Sequence, residues 1–80
     1  ARLDRARANV AAGDLPAARA DLDEALKLVP DDPLAWLLSA ALARRMGVIE
    51  RAQADIAEAM RRAPDDASVA LEAGRIALAA

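Results

Sequence analysis

Apolar residues return at three- and four-residue steps along the whole chain, in blocks of roughly 12 to 14 residues separated by short Gly, Pro and Asp breaks. In residues 15–29, Leu15, Ala18, Leu22, Ala25, Leu26 and Val29 form one stripe, while Arg19, Asp23 and Lys27 fall outside it. Residues 49–62 repeat the pattern with Ile49, Ala52, Ile56, Ala59 and Met60. Residues 33–46 differ. Leu34, Leu37, Leu38, Ala41 and Leu42 cover more than one face, as expected of a helix held between two neighbours. Strand signals are missing, so the pattern predicts an all-α chain of five helices at about 1–12, 15–29, 33–46, 49–62 and 67–80.

The breaks carry the right chemistry for helix ends. Gly13 and Gly47 supply the left-handed conformation that closes a helix at little cost. Asp14, Asp32 and Asp66 stand where an N-cap belongs, and Pro33 sits in a first turn, where its missing N–H is harmless. Val48 occupies the place that Asp14 holds one unit earlier, so a cap of about 1 kcal/mol is expected to be lost there.

Shifted by 34 residues, the chain matches itself at twelve of the 32 positions shared by residues 1–32 and 35–66. Matches include Ala6/Ala40, Gly13/Gly47, Ala18/Ala52, Asp21/Asp55, Glu24/Glu58, Ala25/Ala59 and the terminator Pro30-Asp31-Asp32 repeated as Pro64-Asp65-Asp66. A repeat of this length is one helical hairpin that cannot bury its own apolar face and must stack on a neighbour. The expected units are residues 1–32, 33–66 and a partial third at 67–80. In that last stretch Leu71, Gly74, Ala77 and Leu78 have no following helix to pack on, which points to a longer parent chain or to self-association.

These residues resemble the tetratricopeptide repeat. The second unit carries the likeness best: Trp36 is its large early residue, Ala40 its small one, Gly47 its turn, Ala52 and Ala59 its small residues on the second helix, and Pro64 its terminator. Ala6, Gly13-Asp14, Ala18, Leu22, Ala25 and Pro30 match in the first unit, and Ala73-Gly74 in the third. Arg2, Arg5 and Asn9 depart from the family's apolar or aromatic preference, and Ala43 and Ala77 from its Tyr. The resemblance implies antiparallel hairpins stacked as a right-handed superhelical solenoid, a protein-interaction or scaffolding role, and no catalysis. Helix axes approach to about 8–10 Å only where side chains are short. Ala6, Ala18, Ala25, Ala40, Ala52, Ala59 and Gly74 permit that approach, and Gly13, Leu22, Trp36, Gly47 and Ile56 complete the expected repeat-packing set.

Composition narrows the chemistry. The chain has no His, Cys, Thr or Tyr, and Ser39 and Ser68 are its only hydroxyls, so raw material for an enzyme is lacking and no cofactor is expected. The pairs Asp31-Asp32 and Asp65-Asp66 are read as caps favoured by the helix dipole rather than as metal ligands. A net charge of −2 and a single aromatic, Trp36, give neither phosphate attraction nor base stacking, so nucleic acid is not an expected partner. No apolar run is long enough to insert in a membrane. The Ala- and Arg-rich, Lys-poor composition suggests a bacterium, with cytoplasm and periplasm both compatible.

In proteins of the resembled family the first helix of each unit lines a concave groove that holds a partner's peptide. Registered on them, this chain puts Leu3, Arg7, Val10, Ala11, Leu37, Leu38, Ala41, Arg44, Arg45, Leu71, Glu72, Arg75 and Leu78 on that wall. Four Arg against one Glu make it basic, whereas Asp21, Asp23, Glu24, Asp55 and Glu58 are expected to make the outer face acidic. The expected partner is an acidic peptide or helix whose carboxylates meet Arg7, Arg44, Arg45 and Arg75 and whose apolar side chains rest on Leu37, Leu38 and Leu71. The places where some members grip a C-terminal carboxylate hold Leu3, Arg7, Leu38, Ser68 and Glu72 here, only one of them basic. The alternatives are a spacer within a larger assembly, or packing of residues 67–80 on the next repeat or a second copy.

Overall fold

Asp, Gly and Pro decide where each helix starts and stops. A computed structural model describes Arg7 and residues 13–80, with helices α1 (Leu15–Leu28), α2 (Pro33–Arg45), α3 (Ile49–Arg62) and α4 (Ala67–Ala79). Arg7 is helical, and the described residues contain no strand. The first expected helix, with Leu3, Ala6, Val10 and Ala11, otherwise lies outside the described residues.

Asp14 accepts a hydrogen bond from the Ala17 amide at 3.3 Å, Asp32 from Leu34 at 2.9 Å, and Asp66 from Ser68 and Val69 at 2.8 and 3.3 Å. Val48 gives α3 no side-chain cap, although Glu50 in the first turn complements the helix dipole. Between α2 and α3 the chain reverses through Gly47 at φ +80°. The Val48 amide donates to the Ala43 carbonyl at 2.9 Å and the Gly47 amide to Arg44 at 3.1 Å, the two bonds of a Schellman motif. Gly13 also takes a left-handed conformation, at φ +82°. Among the described residues, a Cβ added at Gly13, Gly47 or Gly74 would meet nothing within 4 Å. Gly47 therefore serves conformation, and Gly74, exposed on α4, has no close neighbour among the described residues.

α2 packs against α1, α3 and α4, and α3 packs against α4. Such crowding admits only short side chains on most of its inner face, and α2 buries Ala35, Ser39, Ala40, Leu42 and Ala43. Ala18 and Leu22 of α1 meet Leu42 in one cluster. Ala52, Ile56 and Ala59 of α3 meet Ala40, Ala43, Val69 and Ile76 in another, with Trp36, Leu37, Ile49 and Ala73 packed around it. Ala25 completes the buried face of α1.

The stripes differ from the expected ones at their edges. Val29 and Met60 are about half exposed, at 54% and 46%, whereas Asp21 and Asp55 are buried. Val29 has left the helix by the C-cap, and with Asp55 at the centre of the buried face of α3, Met60 falls at its rim. The acidic outer face expected from Asp21 and Asp55 is corrected accordingly.

Trp36 is a packing residue with two polar ties. Its indole N–H donates to the Pro30 carbonyl at 2.6 Å, and the Arg62 guanidinium lies 5.1 Å from its ring centroid. Arg62 is held by the Glu58 side chain and by the Glu58 carbonyl at 3.0 Å. The guanidiniums of Arg62 and then Arg61 beside Glu58 hold its carboxyl below the usual carboxylate range. This contact therefore contributes above the ordinary carboxylate pKa and is lost as pH falls through the lowered one.

Replacing Ala40, which is fully buried, by Leu is expected to cost about 1–3 kcal/mol in urea unfolding, whereas Leu at the exposed Ala57 changes stability by less than about 0.5 kcal/mol. Equal midpoints for the two variants would contradict the packing described.

Candidate functional site

With its inner face committed to the core, α2 presents Leu38, Ala41, Arg44 and Arg45, spaced by three, three and one residues, on a face that it shares with Glu72 and Arg75 of α4. Together with Arg7 they enclose a cavity of about 160 Å³. Leu22, Leu38, Ala41 and Leu42 make its apolar lining, and Arg7, Arg44, Arg45 and Arg75 are its basic lining residues.

One carboxylate lies among these cations. Glu72 is only 4% exposed, and burial of a charge is tolerated when it is paired and hydrogen-bonded. Arg44 Nε donates to Glu72 Oε2 at 2.6 Å, and Arg75 Nη1 lies 3.7 Å from Glu72 Oε1. Among the described residues Arg7 and Arg45 make no ion pair, and both are exposed. The cavity thus has two cations engaged by Glu72 and two turned to solvent.

Of the groove residues expected from the sequence, Arg7, Leu38, Ala41, Arg44, Arg45, Glu72 and Arg75 line this one cavity. Leu37 does not: it packs against the core cluster between α2, α3 and α4. Leu71 and Leu78 are exposed, at 57% and 90%, and are not part of the cavity lining. Leu3, Val10 and Ala11 lie outside the described residues. Leu22 and Leu42, read from the sequence as packing and stripe residues only, are also part of the cavity lining.

A second polar cluster joins α1, α2 and α3. Ser39 Oγ donates to Asp55 Oδ2 at 2.6 Å and accepts from Arg19 Nη2 at 2.6 Å. Arg51 Nε donates to Asp55 Oδ2 at 3.1 Å, and Asp23 Oδ1 accepts from Arg19 Nε at 3.1 Å and from Arg51 Nη2 at 3.5 Å. Ser39 is fully buried and Asp55 is 4% exposed, so no substrate can reach this hydroxyl, and the cluster acts as a cross-tie between helices. The sequence held one sign of it, the acid shared by Asp21 and Asp55 at repeat spacing, which a hydrophobic stripe would not otherwise contain. Among the described residues no three His, Cys, Asp or Glu side chains cluster as a metal site, and no helix is long and apolar enough to cross a membrane.

A family model described as tetratricopeptide repeat matches residues 1–44, more than half of the chain. Nothing among curated proteins and nothing among solved structures matches it.

Replacing Ser39 by Ala strips Asp55 and Arg19 of a buried partner and is expected to cost about 1–3 kcal/mol in chemical unfolding with helicity retained. Ala at the exposed Ser68 shifts the midpoint by less than about 0.5 kcal/mol. A neutral Ser39→Ala would show that the cross-tie does not hold these helices together.

Proposed function

Because the chain belongs to the tetratricopeptide repeat family, we propose that it works as a protein-interaction module whose partner segment occupies the Arg-lined cavity beside α2 and α4. Repeats of this family generally mediate protein–protein interaction and are typically non-catalytic. On this reading residues 1–32, 33–66 and 67–80 are two hairpin units and the first helix of a third, stacked as part of a right-handed superhelix. The observation that carries the proposal is the presence of four Arg in the lining of one cavity together with Leu22, Leu38, Ala41 and Leu42. Such a surface suits a peptide that brings carboxylates to the rim and aliphatic groups to the lining.

A second reading concerns α4, where Leu71 and Leu78 stand exposed. Two large apolar side chains on one terminal helix favour a further helix packed there, from a neighbouring repeat or a second copy. This reading is compatible with the first, because neither residue lines the cavity.

The test compares pull-downs by the native chain and by a variant carrying Arg7→Glu and Arg45→Glu, two exposed positions whose replacement leaves Glu72 paired. Circular dichroism first establishes equal helicity. A partner retained by the native chain and lost by the variant is the expected result. Equal retention by both would contradict use of the cavity.

A further inference from the structure

We propose that the cavity receives a single peptide carboxylate next to an aliphatic side chain, and that Glu72 is a resident counter-ion which withholds Arg44 and Arg75 from the ligand and so excludes polyanions. This rests on the reading of the cavity as the partner site.

The charge distribution carries the argument. Around the cavity stand four Arg and one Glu, a local balance of +3, on a chain whose net charge is −2. Attraction for anions is therefore local to this face. Within it the cations are not equivalent. Arg44 is mostly buried, with its side chain 24% exposed, and is fixed to Glu72 at 2.6 Å; Arg75 flanks the other oxygen of the same carboxylate. Displacing Glu72 would leave a buried acid without its partners, which is strongly unfavourable. Among the described residues Arg7 and Arg45 make no ion pair and are exposed, so they are the guanidiniums most open to a ligand, whereas Arg75, half exposed, is held by Glu72 more loosely than Arg44.

Size and lining restrict the ligand further. The cavity, of about 160 Å³ and open to solvent, has room for one or two side chains. Leu22, Leu38, Ala41 and Leu42 favour methylene or methyl groups beside the charge. Glu72 repels a second anion that enters, so added negative charge on the ligand gains little. Neutralising Glu72 removes that repulsion and frees Arg44 and Arg75 together.

The experiment is a ¹⁵N NMR titration following the Arg Nε–Hε signals, with short Ala- and Gly-based peptides containing Glu-Leu, Gln-Leu or Glu-Glu-Glu-Leu, and with oligo-dT. In the native chain the Glu-Leu peptide is expected to shift Arg7 and Arg45 but not Arg44, and the Gln-Leu peptide to bind at least about tenfold more weakly. The triple-Glu peptide is expected to gain less than about twofold over Glu-Leu in the native chain. In Glu72→Gln, which keeps an acceptor for Arg44, it gains about fivefold and moves the Arg44 and Arg75 signals. The inference is overturned if the triple-Glu peptide or oligo-dT already binds the native chain at least fivefold more tightly, if Glu72→Gln leaves these ratios unchanged, or if no peptide moves Arg7 or Arg45. The pull-down separates the two levels: partner loss with Arg7→Glu and Arg45→Glu alongside a failed titration leaves the cavity as the partner site and removes only its assigned ligand.

Discussion

Everything in this molecule depends on one helix touching three others at once. α2 lies against α1, α3 and α4, and its inner face can be filled only by short side chains: Ala35, Ser39, Ala40 and Ala43, with Leu42 as the larger exception at the α1 contact. An alanine removes little apolar area from water, so a core built this way gains less from burial than one of Leu and Phe. Close backbone approach and dispersion replace area as the source of cohesion. The few large fully buried side chains, Leu22, Leu42, Ile76 and Val69, fill the spaces between helices.

The same constraint explains why charge enters the interior. Ser39 is small enough for the crowded face of α2 yet carries a hydroxyl, and that hydroxyl links Arg19 of α1 to Asp55 of α3. Buried ion pairs of this kind add little net stability over an apolar filling, but each is costly to break singly, so they favour one helix register over its neighbours. Arg44 and Glu72 repeat the arrangement across the α2 and α4 contact. Glu72 belongs to both the helix contact and the cavity lining, since the acid that ties α4 to Arg44 of α2 also stands beside Arg75.

The existence and order of the four described helices were legible because they rest on local chemistry. Asp14, Asp32 and Asp66 cap within their own first turns, and Gly47 reverses the chain through bonds to residues three and five positions back. The burial of the acids was not read from the sequence beyond the repeat-spaced Asp21 and Asp55, since a hydrophobic stripe assigns carboxylates to solvent and their partners lie far along the chain. Ser39 and Asp55 are 16 residues apart, and Arg44 and Glu72 are 28 apart. Leu37 and Leu38 illustrate a finer limit. Both lie on the broad apolar face of α2, and the direction of approach of α3 and α4 turns Leu37 to the core and leaves Leu38 in the cavity wall.

Hydrogen exchange resolved to single amides tests most directly whether α2 organises the rest. Exchange from a helix that contacts three neighbours requires all of those contacts to open, whereas a peripheral helix can fray alone. The slowest amides of the described residues are expected in the interior of α2, around Ala40 to Ala43, with α4 exchanging through local opening and α3 between them. Slower exchange in α1 or α4 than in α2 would contradict the central place given to that helix.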